Sequence, residues 1–272
     1  MARNLVTEVA AQLGQPFVVV NREGASGTIG FGQVASAQPD GYTLGAGPTT
    51  PISIAPHLMK DVKIGVDSFE YVCQSFENIF TIAVSLESPF RSVTDIVGAA
   101  RANPGKLSYG HSGIGTVPHL SVANLVYRHG IDVSAIPYRG ESAMLPDLVA
   151  GRVNFGAPSV AVAVGQKVRV LAVFADSRHP AFPDAPTFAE LGMPSMPPGL
   201  NAPFAPRRTP PGVLAALEHA CERATQTESF RAAAQRLNQR IAYLDGARFA
   251  ERALADYRYK GELIRAINIK VE

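Results

Sequence analysis

Apolar runs and amphipathic segments alternate along most of the chain, separated by turns rich in glycine and proline. Continuous or alternating apolar residues predict strands at 17–20, 42–46, 70–74, 80–85, 107–109, 134–137, 153–155 and 168–174. Helical spacing predicts helices at 28–37, 94–102, 118–128, 142–150, 212–224, 229–237 and 247–267. This alternation predicts an α/β fold with parallel or mixed sheets flanked by helices. Such sheets bind ligands in the loops after their strands.

Two segments depart from the alternation. Residues 179–211 carry many prolines and little periodicity, which predicts a long irregular connection followed by helices to the end of the chain. At the start, Leu5, Val9 and Leu13 fall on one face of a helix that Gly14 ends. The first residues contain no basic segment leading into an apolar stretch, so no signal peptide is predicted within them.

Composition excludes two classes of protein. Of the 272 residues, 46% are hydrophobic and 18% are charged, as in a globular protein with a core, and no apolar stretch approaches the roughly 18 residues of a membrane span. The net charge of +2 comes from scattered basic residues without a stripe that could follow a phosphate backbone. We therefore expect neither a membrane-embedded protein nor a nucleic-acid partner.

The chain has two cysteines, Cys73 and Cys221. Their spacing fits no zinc motif, and two are too few for a disulfide scaffold. We expect two buried thiols, with a single disulfide in an oxidising compartment as the alternative.

The strongest candidate for a binding loop is residues 110–119, GHSGIGTVPH, between a predicted strand and a predicted helix. Gly113 and Gly115 let the backbone approach a ligand closely, and the free N–H groups of the helix start favour an anion. The hydroxyls of Ser112 and Thr116 can add donors to a carboxylate. The alternative is a tight turn in which glycine serves geometry alone.

The same loop begins like the nucleophile elbow of a serine hydrolase, G-x-S-x-G, but Ile114 stands in place of the second glycine. His119 falls in the first turn of a helix, where a cap or core role is expected. No other downstream histidine lies in a loop after a strand; these are His129, His179 and His219. Without a metal cluster or carboxylate pair, the pattern favours binding over catalysis.

Two further loops precede predicted helices. Residues 21–30 match neither the phosphate-binding loop nor the dinucleotide fingerprint, so no nucleotide cofactor is predicted. In the loop 137–143, Tyr138 and Arg139 together suit a planar or carboxylate ligand, with a solvated turn as the alternative.

Five segments, in chain order, resemble motifs of the tripartite tricarboxylate transporter receptors, also called the Bug family. Residues 18–30 are similar to VVENRPGAGGTIG, 39–44 match PDGYTL, and 103–120 resemble NPGKLNYGSSGxGTxxHL. Residues 137–140 resemble VPYKG and 184–192 resemble DVPTxxEAG. Together these segments span nearly the whole chain.

The resemblance implies a type II periplasmic binding protein fold with a ligand cleft between two lobes, here 1–85 plus 206–272, and 86–205. It implies a periplasmic solute receptor, without metal or cofactor, that passes a small carboxylic acid to the permease subunits of a tripartite transporter. A ligand-sensing partner of a regulatory system is the alternative. The residues expected to bind the ligand are Thr49, Thr50, Ser112, Gly113, Gly115, Thr116, Tyr138 and Arg139.

Two departures from the family pattern bear on binding. Family members begin with a strand and a glycine loop, PFxPGGxxD, which this sequence lacks, so we expect a first lobe without its opening strand. Pro158 stands where the family motif GxVDVMFDN has an aspartate. An ammonium group on the ligand would lose a partner there, so we expect dicarboxylates or aromatic acids to bind better than amino acids.

Overall fold

A computed structural model describes residues 1–22, 24–193 and 195–269. The chain forms two units, each with its own five-stranded sheet. Unit 1 comprises Met1–Asn78 and Gly199–Arg265, and unit 2 comprises Ile79–Pro198. Across the described ranges, no helix combines the length and the apolar character that a membrane crossing requires.

The helices are α1 (Ala2–Leu13), α2 (Thr28–Ala35), α3 (Thr50–Ser53), α4 (Ala55–Leu58), α5 (Val93–Ala102), α6 (Val117–His129), α7 (Glu141–Val149), α8 (Val160–Ala163), α9 (Pro211–Gln226), α10 (Glu228–Arg236) and α11 (Gly246–Ile267). Short 3₁₀ helices span Ala25–Gly27 and Val66–Ser68. The strands are β1 (Gly45–Pro48), β2 (Phe69–Tyr71), β3 (Cys73–Asn78), β4 (Thr81–Ser85), β5 (Leu107–His111), β6 (Val133–Pro137), β7 (Phe155–Gly156), β8 (Val168–Val173), β9 (Gly199–Pro206) and β10 (Arg240–Asp245).

The sheet of unit 1 has the order β1-β9-β3-β10, and β2 also pairs with β9. Each pairing described for this sheet is antiparallel; Phe76, for example, lies opposite Asn201. The aromatic rings of Phe31, Phe69 and Phe204 meet edge-on or tilted in the core beside the sheet, with centroids 5.2–5.8 Å apart.

A disulfide joins Cys73 at the start of β3 to Cys221 on α9. The expectation of two buried thiols is therefore wrong. Spacing along the chain could not reveal the pairing, because the two cysteines are 148 positions apart and the fold alone brings their Cα atoms to 6.6 Å. The bridge ties the sheet to a helix within one core cluster.

The sheet of unit 2 is mixed, with the order β6-β5-β7-β4-β8. Strand β5 runs parallel to β6 and β7, whereas β4 is antiparallel to β7 and β8. Helix α5 starts at a capping box, in which Ser92 and Asp95 bond reciprocally to each other's backbone N–H. This local signal explains why the sequence predicted α5 closely.

The chain passes between the units after Asn78 and before Gly199. The predicted lobe boundaries, after 85 and before 206, lie seven residues later at each passage. Pairing accounts for the difference: β4 bonds to β8 of unit 2, and β9 bonds to β1 and β3 of unit 1.

Three sequence predictions of secondary structure are wrong. Residues 17–20 form no strand, and Val18 is 89% exposed, because no described strand pairs with this apolar run. Strand β9 lies within the segment predicted to be irregular, and β10 interrupts the predicted run of helices. Both strands are stabilised by pairing with β3, a partner more than 100 residues away.

Candidate functional site

Three loops start side by side at one edge of the unit 2 sheet. Gly110 of β5 lies opposite Ile136 of β6 and Gly156 of β7, and all three strands run in the same direction. Adjacent strands are about 4.8 Å apart, so the loops after them begin within about 10 Å of one another. The fold thus brings together the predicted binding loops 112–116 and 138–140, and adds the loop 157–159.

The glycine loop after β5 is held by its own hydrogen bonds. Gly113 and Gly115 have φ of 130° and 72°, in the region that side chains rarely adopt. The Oγ1 of Thr116 donates to the carbonyl of Gly113 at 2.7 Å, so its proton is already engaged within the loop. Ser112 is half-buried, and its hydroxyl makes no hydrogen bond to any described residue.

Helix α6 begins directly after this loop. Thr116 occupies the N-cap position but does not bond to the first turn with its side chain. The N–H groups of Val117 and His119 therefore remain without a side-chain cap. Unbonded donors at the positive end of a helix are suited to an anion.

Two buried histidines hold the glycine loop in place through contacts with its backbone. The Nδ1 of His119 accepts from the N–H of Gly115 at 3.2 Å, and the Nδ1 of His111 lies 2.9 Å from the carbonyl oxygen of Gly113. Burial, then the charge of His111, lowers the pKa of His119 to about 4. Burial also lowers the pKa of His111, against the opposing effect of the Gly113 carbonyl. Of the cap and core roles expected for His119, the structure shows the core role, since the side chain is buried.

Tyr138 bonds the loop after β6 (138–140) to the end of β5, where the glycine loop begins. Its N–H donates to the carbonyl of His111 at 2.9 Å, and its hydroxyl donates to Oδ2 of Asp147 at 2.7 Å. Burial and the bond to Asp147 raise the pKa of this phenol. Helix α7 packs closely here: a Cβ on Gly110 would lie 2.7 Å from Cγ of Met144. Tyr138 thus holds the loop through its own bonds.

Arg139, next in the chain, is exposed. In the part of the chain that the structure describes, its guanidinium has no hydrogen bond or ion pair. It is therefore a cation available to a ligand at this edge of the sheet.

Glu141, which begins α7, was not among the residues predicted to bind the ligand. Its Oε2 accepts two hydrogen bonds from Ser159, one from the N–H and one from the hydroxyl, both at 2.7 Å. Burial raises the pKa of this carboxyl, and the two bonds oppose that shift. Acidic residues are common in the first turn of any helix, so the sequence offered no sign of this contact.

The remaining predicted residues, Thr49 and Thr50, lie in unit 1, where β1 leads into α3. Thr49 is buried, and its N–H donates to the carbonyl of Leu200 at 3.0 Å. Thr50 is half-buried. The other six predicted residues all lie in unit 2.

A buried ion pair supports α3. The Nζ of Lys260 lies 2.5 Å from Oδ2 of Asp256 and 3.3 Å from Oγ of Ser53.

Among the residues with described positions, no group of three or more His, Cys, Asp or Glu is arranged to hold a metal ion.

Comparison with known proteins decides the class of the molecule. Residues 1–269 match the family model of the tripartite tricarboxylate transporter family receptor, TctC. The chain belongs to this receptor family. It is 30% identical over 275 residues to the UPF0065 protein in the gbd 5′ region of Cupriavidus necator, a match that covers 98% of this chain and 82% of that protein.

Two solved structures resemble the TctC-family chain closely. An R. palustris protein with adipate has a TM-score of 0.87 and 26% identity, covering 99% of this chain and 92% of that one. MatC from Rhodopseudomonas palustris with bound malate has a TM-score of 0.84 and 26% identity, covering 97% and 92%. These matches confirm the predicted family and fold class. The family is one of solute-binding receptors, so this TctC-family protein is a receptor rather than an enzyme.

Proposed function

We propose that this receptor binds a small carboxylic acid in the periplasm and delivers it to the membrane permease subunits of a tripartite uptake system. The observation that carries the proposal is the set of groups at the end of the unit 2 sheet, where β5 and β6 lead into their loops. There the exposed cation of Arg139 follows β6, while Ser112, whose hydroxyl bonds to no described residue, and the uncapped first turn of α6 follow β5. Each of these groups favours a negative charge on the ligand.

The roles of the proposed ligand residues follow from their bonds. Ser112 and Arg139 contact the carboxylate, while Gly113 and Gly115 allow the backbone to approach it. Thr116 and Tyr138 shape the loops, since both of their hydroxyl protons are engaged.

Two further facts support the ligand class and the compartment. The ligands of the similar R. palustris structures, malate and adipate, are both dicarboxylates. The disulfide between Cys73 and Cys221 suits an oxidising compartment such as the periplasm.

The test of ligand binding is calorimetry with succinate, malate and adipate on the parent protein and on the variant Arg139→Gln. A hydrogen bond to a charged group contributes about 1.5–3 kcal/mol, so losing this cation should weaken binding by about tenfold or more. Arg128→Gln is the matched control, since Arg128 is exposed in the last turn of α6. Failure of every acid to bind, or equal affinities for the parent and Arg139→Gln, would contradict the proposal.

Delivery to a permease is tested separately by uptake of the radiolabelled acid. Cells that express the permease subunits should accumulate the acid only when the receptor is present. Uptake that does not depend on the receptor would leave a binding protein without the transport role and favour a sensing role.

A further inference from the structure

Glu141 follows β6, two residues after Arg139, at the end of the unit 2 sheet where the proposed ligand groups lie. Glu141 follows β6, and its partner Ser159 follows β7, with β5 between these two strands. The bonds between Glu141 and Ser159 therefore join the loops that follow the two neighbours of β5, the strand after which the glycine loop begins. Ala157 donates to the carbonyl of Gly110 at 3.3 Å, which keeps the third loop close to that strand end.

Within the described part of the chain, one oxygen of this carboxylate has hydrogen-bond partners and the other has none. Oε2 takes both bonds from Ser159, whereas Oε1 makes no hydrogen bond to any described residue. The side chain is half-buried and its position is fixed by the two bonds from Ser159. Oε1 is thus a positioned acceptor at the same sheet edge as Ser112 and Arg139.

We infer that Glu141 selects, among the acids that the receptor binds, those with a hydrogen-bond donor beside the carboxylate. The donor can be the hydroxyl of a 2-hydroxy acid or the ammonium of an amino acid. A carboxylate oxygen accepts from such a group and repels a second anion at the same place. The inference rests on the proposed function.

This inference revises the sequence-based expectation about amino acids. Pro158 offers no carboxylate, but Glu141 supplies one to the adjacent residue, Ser159. The family motif has its acidic residue at the position of Pro158, after β7. Here the carboxylate comes instead from Glu141, at the start of α7. An ammonium group therefore has a partner at this site.

The test compares acids that differ only in the substituent at carbon 2: succinate, malate and aspartate, and, at six carbons, adipate, 2-hydroxyadipate and 2-aminoadipate. In whichever of the two series binds, calorimetry should show that the 2-hydroxy acid and the 2-amino acid bind about tenfold or more tightly than the unsubstituted acid. In Glu141→Gln, the amide oxygen can still accept from Ser159, but the negative charge is lost. The advantage of the amino acid should then disappear, and that of the hydroxy acid should shrink.

Glu228→Gln is the matched control, because Glu228 is an exposed glutamate in the first turn of α10 in unit 1. It should leave all ratios unchanged. Ser159→Ala, which keeps the charge of Glu141, should retain the preference. If Glu141→Gln does not fold, the inference is tested by the affinity ratios of substituted to unsubstituted acids in the parent and in Ser159→Ala. A parent without the preference overturns it.

The outcomes separate this inference from the proposed function. If no acid of either series binds, the proposed function fails and the inference fails with it. If acids bind but the parent shows no preference, or Glu141→Gln keeps the preference of the parent, the inference alone is overturned.

Discussion

The imidazole rings of His111 and His119 stack with their centroids 4.3 Å apart, at an angle of 26°. Both side chains are buried. His111 contacts Gly113 and His119 contacts Gly115 of the glycine loop before α6. Two protonated rings at this distance would repel each other, so the stack disfavours protonation of both histidines at once. We therefore expect the stability of the proposed binding loop to depend on pH.

We predict that the free energy of unfolding falls as the pH falls from about 6.5 to about 4. Over this window the unfolded chain protonates residue 119, whereas the folded protein keeps His119 neutral, because its pKa is about 4. The loss amounts to on the order of 3 kcal/mol for this residue. It is measured by urea unfolding at several pH values.

The variant His119→Gln should reduce the slope of unfolding free energy against pH in that window. His219→Gln is the control, since His219 is exposed on α9. An identical slope in His119→Gln and the parent would show that His119 does not cause the dependence.

Ser112 and Thr116 should give different results on substitution. Thr116→Val removes the bond to the Gly113 carbonyl and should lower the unfolding free energy by about 1 kcal/mol, whereas Thr116→Ser keeps the bond. Ser112→Ala should leave stability unchanged and weaken carboxylate binding by about tenfold or more. Thermal melts and calorimetry on the same samples distinguish the two roles; a loss of stability in Ser112→Ala would refute this division.

The buried pair of Lys260 and Asp256 should show strong coupling. Lys260→Met leaves a buried carboxylate unpaired and should lower the unfolding free energy by about 3–5 kcal/mol. Replacing both residues, as in Lys260→Met with Asp256→Leu, should cost less than the sum of the single changes. Denaturant unfolding of the four proteins measures the coupling, and additive effects would exclude it.

Removing the disulfide should destabilise the protein. The bond between Cys73 and Cys221 closes a loop of 148 residues, and its loss should lower the unfolding free energy by about 2–5 kcal/mol. Unfolding with and without a reductant measures this. The double variant Cys73→Ala, Cys221→Ala should be insensitive to the reductant; an unchanged parent under reducing conditions would contradict the prediction.

The sequence by itself determined the elements whose signals are local. Ser92 and Asp95 start α5, Gly130 ends α6 with φ of 57°, and Gly14 ends α1 in the same left-handed region. These signals act within about one helical turn, so neighbours in sequence suffice to detect them. The glycine loop before α6 was found in the same way. The family motifs then gave the fold class and the receptor role.

Only the tertiary structure decided what depends on distant partners. Strand β9 contains Pro203 and Pro206, which argue against a central strand, yet β1 bonds along one side of it and β2 and β3 along the other. The contact of Glu141 with Ser159 likewise joins loops that follow two different strands. Such pairings form because the whole core is buried at once, a condition that no short segment of the sequence records.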